Sequence, residues 1–326
     1  MVSSAELEQT RFRKNPSLWS IYYRAIIDDR GACDIYLSGI GAKTYNPGRL
    51  DHVPTNPEKA RIYGSPNKGT SFHMAPVLRS DRRRGWRYRV GYPIHAHCWM
   101  LLDRVIGHDV IMRHLREFTR AVKAFWKGNN SSWFMKLGHP ITGEFCRKQG
   151  ANWLRPQPVE LSAHVLEDPR VQRKAHTLGS PLRIAGLQEL MVQVTRERNV
   201  QENKDVRARS AIENLPLDIA IYMVDMIYES GPYCLERVQD TRNLLEAAQW
   251  TLPATYWIGR CNPQLVFEVD ELIAVGYAVD WASFCLGLEQ LVLSDGWYCN
   301  SGLGNRERTL GIMNNIKKIF LGRVKA

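Results

Sequence analysis

The spacing of apolar residues changes along the chain and predicts two kinds of structure. In the first part, short β-favouring runs at Leu18–Tyr23 and Cys33–Leu37 flank the turn-forming residues Asp29–Gly31, a pattern typical of two strands. Further on, apolar residues recur at helical spacing through His97–Val105 and again through Met112–Trp126, which predicts amphipathic helices. The first part should therefore contain both strands and helices.

A longer amphipathic helix is predicted further along the chain. Asn214 can cap it, and Pro216 lies in its first turn, where the missing N–H costs no hydrogen bond. Its apolar face consists of Leu215, Ile219, Tyr222, Met223, Met226 and Ile227. Each fully buried side chain on such a face contributes roughly 1.5–3 kcal/mol. This face therefore requires a partner surface, inside the protein or on another one.

The remaining pattern divides the chain into two parts joined by a linker. Residues 196–210 hold eight charged side chains and no aromatic one, a composition typical of a linker or a solvated helix. The expected fold is α+β: a basic N-terminal domain of short strands and helices over residues 1–195, a charged linker over 196–210, and a mostly α-helical region over 211–326. Further helices in the last region are predicted at Val238–Trp250, Pro253–Ile258, Trp281–Leu293 and Arg306–Leu321.

The charge of the chain follows the same division. The 326 residues carry a formal net charge of +11. Residues 1–200 hold 32 Lys and Arg against 17 Asp and Glu, whereas residues 201–326 hold 12 against 16. The basic excess is therefore a property of the N-terminal part, where it favours an acidic or anionic partner.

The N-terminal residues and the cysteines indicate the compartment. Charged residues interrupt the apolar core that a secretory signal needs. The seven cysteines include no Cys-x-x-Cys pair, so we expect reduced thiols in the cytoplasm or the nucleus. The most apolar long stretch, Leu272–Val279, is far shorter than the about 20 residues of a membrane-spanning helix, and no membrane partner is expected.

An arginine-rich segment is the first candidate binding surface. Residues 79–89 interleave two aromatic residues with six arginines: Arg79, Arg82, Arg83, Arg84, Arg87 and Arg89. Arginines contact phosphates and aromatic rings stack on bases. The segment therefore predicts either a site for an anionic partner, such as single-stranded nucleic acid, or a solvated loop.

The densest group of possible metal ligands is His95, His97 and Cys98. Two histidines two positions apart on a helix point about 200° apart, and no second Cys or His pair lies at zinc-finger spacing, which favours packing over a metal site. The chain also contains no P-loop, no Gly-x-Ser-x-Gly elbow and no His-Glu-x-x-His helix. We therefore expect no enzymatic activity, no catalytic residue, no cofactor and no metal.

A second set of segments forms a pattern of its own. Leu215–Ile219 reads Leu-Pro-Leu-Asp-Ile, and Gly91–Trp99 ends in His-x-x-Cys-Trp. Leu252–Cys261 contains Leu-Pro-Ala-Thr-Tyr-Trp and is followed by Phe-Glu-Val-Asp at Phe267–Asp270. Together these segments resemble a group of filamentous-fungal F-box-like proteins. The two ends of that group's pattern are matched by Leu37–Gly41 and Asn305–Arg308.

The resemblance implies a function through the F-box, a small helical module that docks on a Skp-family adaptor joined to a cullin–RING ubiquitin ligase. The chain would then be a non-catalytic adaptor that recruits a protein substrate. The adaptor-facing positions implied are Leu215, Pro216 and Ile219, with Tyr222 and Met223 as weaker contributors. The motif departs from the usual pattern because Asp218 replaces a Glu and because it begins past residue 210.

Two alternatives belong to other functional classes. A scaffold or nucleic-acid-associated protein that uses residues 79–89 predicts binding that weakens steeply as the salt concentration rises. A hydrolase or metalloenzyme at His95, His97 and Cys98 predicts stoichiometric metal in the purified protein.

Overall fold

The computed structural model describes residues 19, 22–42, 53–61, 78–79, 89–129, 179–201, 215–229, 234–275, 278–294 and 297–325. The fold is α+β, as the sequence predicts, with a small sheet in the N-terminal part and mostly helices after it. The described residues form two compact units. The first contains those up to residue 129, those from 179 to 182, and those from Asn305 on, whereas the second lies within Arg183–Gly304.

Strand β1, Tyr22–Asp29, is the central strand of the sheet, and nearly all of its side chains are buried. On one side β1 pairs antiparallel with β6, Arg89–His95. On the other side it pairs antiparallel with two strands in succession, β2 at Asp34–Leu37 and β3 at Ile40–Ala42. Two short strands lie at the edges of the sheet. Strand β4, Ala60–Arg61, pairs parallel with β3, and strand β5, Leu78–Arg79, pairs antiparallel with β6.

Ser38 and Gly39 separate β2 from β3. The Ser38 hydroxyl accepts a hydrogen bond from the Ala25 N–H at 2.8 Å and donates one to the Gly39 carbonyl at 2.8 Å. A side chain at Gly39 would bring its Cβ within 2.1 Å of the Lys59 carbonyl oxygen. Only glycine therefore allows the backbone before β4 to approach this closely.

Three helices follow β6: α1 at Ala96–Val105, α2 at His108–Arg113 and α3 at Leu115–Asn129. Helix α1 contacts β1, and Trp99 of α1 packs edge-to-face on Phe118 of α3, with ring centroids 6.3 Å apart. Both rings are buried. These helices therefore contribute aromatic rings to the first unit's core.

The second unit is helical throughout its described residues. Its helices are α4 at Ala185–Gln201, α5 at Leu217–Glu229, α6 at Leu235–Ala247, α7 at Ala254–Ile258, α8 at Glu268–Val275, α9 at Trp281–Leu293 and α10 at Trp297–Asn300. The central helix is α9, in which Phe284–Glu289 are all buried and which contacts α4, α6, α7 and α10. Gly287 allows the approach of α4, because a Cβ at this position would lie 2.6 Å from the Leu190 Cδ1 atom.

Helix α11, Leu303–Val324, belongs to the first unit from Asn305 on. Its Phe320 packs edge-to-face on Phe118 at 5.6 Å, and its Lys317 ammonium donates to the Val105 carbonyl at the end of α1 at 2.6 Å. Such a cation at a helix C-terminus satisfies one of the carbonyls that the helix leaves free.

Arg306 of α11 is fully buried and holds the segment at residues 179–182. Its guanidinium donates to the Pro181 carbonyl and to the Leu182 carbonyl, each at 2.8 Å. The neighbouring Asn305 amide donates to the Gly179 carbonyl at 3.1 Å. A buried charge is tolerated here because its donors have acceptors.

Some predicted elements have the observed bounds, whereas others are shifted along the sequence. The helix predicted at Trp281–Leu293 is confirmed at both ends. The strand predicted at Leu18–Tyr23 was wrong in position, since β1 begins at Tyr22. The helix predicted at Met112–Trp126 begins three residues later, at Leu115, after the short α2.

The predicted division at residues 196–210 stays a prediction. Helix α4 continues through residue 201 and is grouped with the helices that follow it, and residues 202–214 lie outside the described part of the chain. Within the described residues, no helix combines the length and the apolar character needed to cross a membrane.

Candidate docking surface on helix α5

Helix α5 carries a row of exposed apolar side chains, here called the exposed stripe: Leu215, Ile219, Tyr222 and Met226. Tyr222 is 62% exposed, Met226 52% and Ile219 44%. Positions 219, 222 and 226 are three and seven residues apart, so their side chains share one face of the helix. Leu215, just before the first helical residue, is also exposed at 38%. The stripe therefore runs from residue 215, just before the helix, to residue 226 in its last turn.

The opposite face of α5 is buried in the second unit. Ala220, Val224 and Tyr228 lie four residues apart in turn, and all three are buried. The helix is therefore apolar on two faces, one packed against the protein and one in water. A helix of a globular protein usually has polar residues on its solvent face, so the exposed stripe needs an explanation.

A polar cluster fixes α5 in this orientation. The Asp225 carboxylate accepts hydrogen bonds from the Tyr256 hydroxyl and from the Arg260 guanidinium, each at 2.8 Å. The same guanidinium also donates to the Tyr256 hydroxyl at 2.8 Å. Tyr256 belongs to α7 and Arg260 to the turn after it, so the cluster ties the middle of α5 to that segment.

Two arginines hold the end of α5. The Arg260 guanidinium lies over the Tyr228 ring, 3.8 Å from its centroid, a favourable cation–π geometry. Arg237 of α6 donates to the Tyr228 carbonyl at 2.6 Å, where it satisfies a free carbonyl in the last turn of α5. The rotation of α5 about its axis is therefore set by contacts at Asp225 and Tyr228, of which Tyr228 lies on the face opposite the exposed stripe.

The ionisation of this cluster follows from its burial. Burial raises the pKa of Tyr228 above the ordinary tyrosine range, and the nearby Glu289 carboxylate raises it further. Burial likewise raises the pKa of Tyr256. For Arg260, burial acts to lower the pKa, but Tyr256, Tyr228 and Asp225 together raise it. Both phenols therefore stay neutral and Arg260 stays charged at physiological pH, so the cluster keeps its hydrogen bonds.

The polar side chains around α5 are engaged in contacts within the second unit. The phenols have no tendency to ionise, and the guanidinium is committed to a carboxylate, a hydroxyl and an aromatic face. In the part of the chain that the structure describes, no group of three or more His, Cys, Asp and Glu side chains could hold a metal ion.

Comparisons with known proteins identify no family for this chain. Neither protein-family models, nor curated proteins, nor solved structures give a match for this chain.

The residues that the sequence proposed for adaptor binding fall into two groups. Leu215, Pro216, Ile219 and Tyr222 are exposed on the candidate surface, whereas Met223 is half-buried at its edge. The capping residue predicted for this helix, Asn214, lies outside the described residues. The Pro216 carbonyl accepts from the N–H groups of both Ile219 and Ala220, so the helix begins just after the proline.

The arginine-rich segment is described only at its two ends. Arg79 lies in β5 and Arg89 in β6, and the Arg89 guanidinium forms an ion pair with Asp29. The other four arginines of the predicted anionic-partner patch, Arg82, Arg83, Arg84 and Arg87, lie outside the described residues.

The His95–Cys98 segment is the end of β6 and the start of α1. His97 is buried, and its Nδ1 atom hydrogen-bonds with the Ser180 hydroxyl at 2.6 Å. The Trp19 ring stacks on His97 with centroids 6.1 Å apart. The Cys98 sulfur lies 4.0 Å from the His95 Nδ1 atom. His97 therefore joins the start of α1 to residue 180, within the first unit.

Sequence reasoning missed the residues that hold the surface in place. It did not find the partner of Arg260, which is Asp225 on α5 itself. A local signal was present: Asp225 is the one acidic residue inside an otherwise apolar run from 219 to 228. Such a residue either faces solvent or pairs with a buried cation. Leu217 and Leu235, both exposed, were also missed.

Proposed function

We propose that this chain is a non-catalytic, F-box-like adaptor that docks through the exposed stripe on a Skp-family protein and brings a protein substrate to a cullin–RING ubiquitin ligase. The observation that carries the proposal is the exposure of Ile219, Tyr222 and Met226 on a helix whose other face is firmly packed. Large contiguous apolar patches on a soluble protein mark interaction sites.

The geometry of the stripe supports a helix-in-groove mode of docking. Partners that bind a helix in an apolar groove read anchors at i, i+3 and i+7, which is the spacing of Ile219, Tyr222 and Met226. Burying each of these side chains contributes roughly 1.5–3 kcal/mol. Tyr222 is the expected centre of the interface, because tyrosine is enriched among residues that dominate binding energy.

The polar cluster at Asp225 supports the same proposal. A docking helix binds more tightly when its orientation is fixed beforehand, because less conformational freedom is lost on binding. The contacts of Asp225 with Arg260 and of Tyr228 with Arg237 supply that fixation. In this proposal the basic N-terminal part holds the substrate, and the protein works in the cytoplasm or the nucleus.

The test is capture of a purified Skp-family adaptor by the intact chain, measured by biolayer interferometry. We expect the native chain to bind, and the double variant Ile219→Asp/Tyr222→Asp to bind at least about 100-fold more weakly, because two carboxylates would be buried without partners. Both side chains are exposed, so the thermal unfolding midpoint of the variant should stay close to that of the native chain.

Ile273→Asp is the matched control. Ile273 is 52% exposed in the same unit but belongs to α8, away from the stripe in sequence. This variant should bind the adaptor as the native chain does. Failure of the native chain to bind, or an equal loss in Ile273→Asp, would refute docking through α5.

A further inference from the structure

Two buried cysteines of the second unit lie side by side. The sulfur atoms of Cys261 and Cys285 are 3.0 Å apart, and both residues are buried. Cys261 follows the turn after α7, and Cys285 lies in α9. The sulfur–sulfur bond of a disulfide is about 2.0 Å long. The two sulfurs therefore need to approach by only about 1 Å to form one.

The surrounding backbone keeps the two thiols together. The Cys285 thiol lies 3.2 Å from the Trp257 carbonyl oxygen, to which it donates, and α7 contacts α9 directly. The Cys261 N–H donates to the Ile258 carbonyl at 3.1 Å. Trp257, which is fully buried, packs in the same region. These contacts hold the two thiols side by side in the reduced protein.

We propose that Cys261 and Cys285 are a redox-active pair that closes to a reversible disulfide when the protein meets hydrogen peroxide. One sulfur attacks a peroxide oxygen, the O–O bond breaks, and a sulfenic acid and one water are formed. The second sulfur then attacks the sulfenic sulfur and displaces a second water. The two thiols together lose two protons and two electrons, and hydrogen peroxide takes them up to become two waters. This inference goes beyond the proposed function and does not depend on it.

The setting of the pair predicts slow chemistry. Burial raises the pKa of the Cys285 thiol well above its ordinary value, and the adjacent Cys261 raises it further. Because the thiolate is the reacting form, a small oxidant acts slowly in the closed unit. The exposed Cys33 provides a comparison inside the same chain. It should react with an alkylating reagent in the native protein, whereas Cys261 and Cys285 should react only after unfolding.

A disulfide between Cys261 and Cys285 would form close to a contact of helix α5. Cys261 directly follows Arg260, whose guanidinium holds Asp225 of α5. A disulfide would tie this turn covalently to α9 and would close a loop between positions 24 residues apart. A cross-link of this kind restricts the unfolded chain. We expect the oxidised protein to unfold at a temperature several degrees higher than the reduced protein.

The experiment treats the intact native chain with hydrogen peroxide, removes the peroxide with catalase, and then unfolds and alkylates the protein. Trypsin is unsuitable, because residues 261–306 contain no cleavage site before Arg306 and hold Cys261, Cys285 and Cys299 together. A glutamate-specific protease separates the three cysteines into peptides 247–268, 272–289 and 290–307. We expect mass spectrometry to find peptide 247–268 linked to peptide 272–289, and dithiothreitol to release the link.

Two variants make the result specific. Cys299→Ser should form the same link, whereas Cys285→Ser should form none and should show no rise in unfolding temperature after peroxide. Recovery of both Cys261 and Cys285 fully alkylated from the peroxide-treated native chain would overturn the proposal, as would a link that joins either of them to Cys299 instead. Because the readout needs no adaptor, it is independent of whether the stripe docks on one.

Discussion

The two compact units differ in what they expose and in what they bury. Among the described residues, every large apolar side chain that is exposed belongs to the second unit: Val192, Leu215, Leu217, Ile219, Tyr222, Met226, Leu235 and Ile273. In the first unit, buried polar groups join segments that are distant in sequence, as Arg306 does with residues 181 and 182. The comparison indicates that the first unit joins distant segments through interior polar contacts, whereas the second exposes apolar side chains on its surface.

The largest loss of stability is expected from Arg306→Ala. This change removes two charged hydrogen bonds from a fully buried site and leaves the Pro181 and Leu182 carbonyls without these donors. The free energy of unfolding should fall by about 3–5 kcal/mol, measured by urea denaturation. Arg323→Ala, an exposed arginine on the same helix, should cost less than about 0.5 kcal/mol. Equal losses in the two variants would break the comparison between the units.

A smaller loss is expected from Arg260→Met in the second unit. Methionine keeps much of the packing on Tyr228 but loses the hydrogen bonds to Asp225 and Tyr256. Because Arg260 is partly exposed, we expect a cost of about 1–2 kcal/mol. Affinity for the adaptor should also fall, although the stripe itself is unchanged. The control is Arg242→Met, which removes one exposed hydrogen bond to Gln290 and should leave stability and affinity nearly unaltered.

The smallest effect, and the one that depends on pH, is expected from Asp29→Asn in the first unit. Burial acts to raise the pKa of Asp29, but the Ala32 N–H, the Arg89 guanidinium and the Gly31 N–H together lower it. A carboxyl group whose pKa is lowered by folding stabilises the protein above its unfolded pKa of about 3.9. That stabilisation is lost as the pH falls through the folded value.

The variant should therefore be less stable than the native chain by up to about 1 kcal/mol at pH 7, and the difference should shrink as the pH falls below about 3.9 and through the folded pKa of Asp29. Asp28→Asn is the control, because the Asp28 carboxylate lies only at 3.9–4.0 Å from the charged groups of Arg30 and Lys123. It should change the free energy of unfolding at pH 7 by less than about 0.5 kcal/mol. A constant difference from pH 7 to pH 3 for Asp29→Asn would show that the ionised carboxylate is not the source of the stability.

Local signals in the sequence were sufficient for the elements that cap themselves. Helix α9 was predicted with its observed bounds, and its start is set by Asp280, whose carboxylate accepts from the Ser283 N–H at 3.0 Å. This contact spans three residues and can be read from the sequence. Strand β1 was misplaced because its bounds depend on pairing with Arg89–His95, some sixty residues away. No local pattern contains that information.

The candidate surface also has one feature that the sequence predicts and one that it does not. The spacing of Ile219, Tyr222 and Met226 was predictable, because the apolar period of a helix is local. Which of the two apolar faces is exposed was not predictable. That choice depends on Arg260, which lies 35 positions from Asp225, and on the burial of Val224 in the second unit. Exposure is a property of the folded unit rather than of the helix.

The placement of α11 has a consequence for the order in which the protein can be completed during synthesis. Lys317 reaches the Val105 carbonyl from 212 positions further along the chain. Ribosomes add about 5–20 residues per second, so roughly 10–40 s pass between the synthesis of the two. During that interval Phe118 lacks its contact with Phe320 in the core. All residues of the second unit are synthesised before Phe320. The first unit therefore begins to be synthesised first but can complete its core only after the second unit has been made.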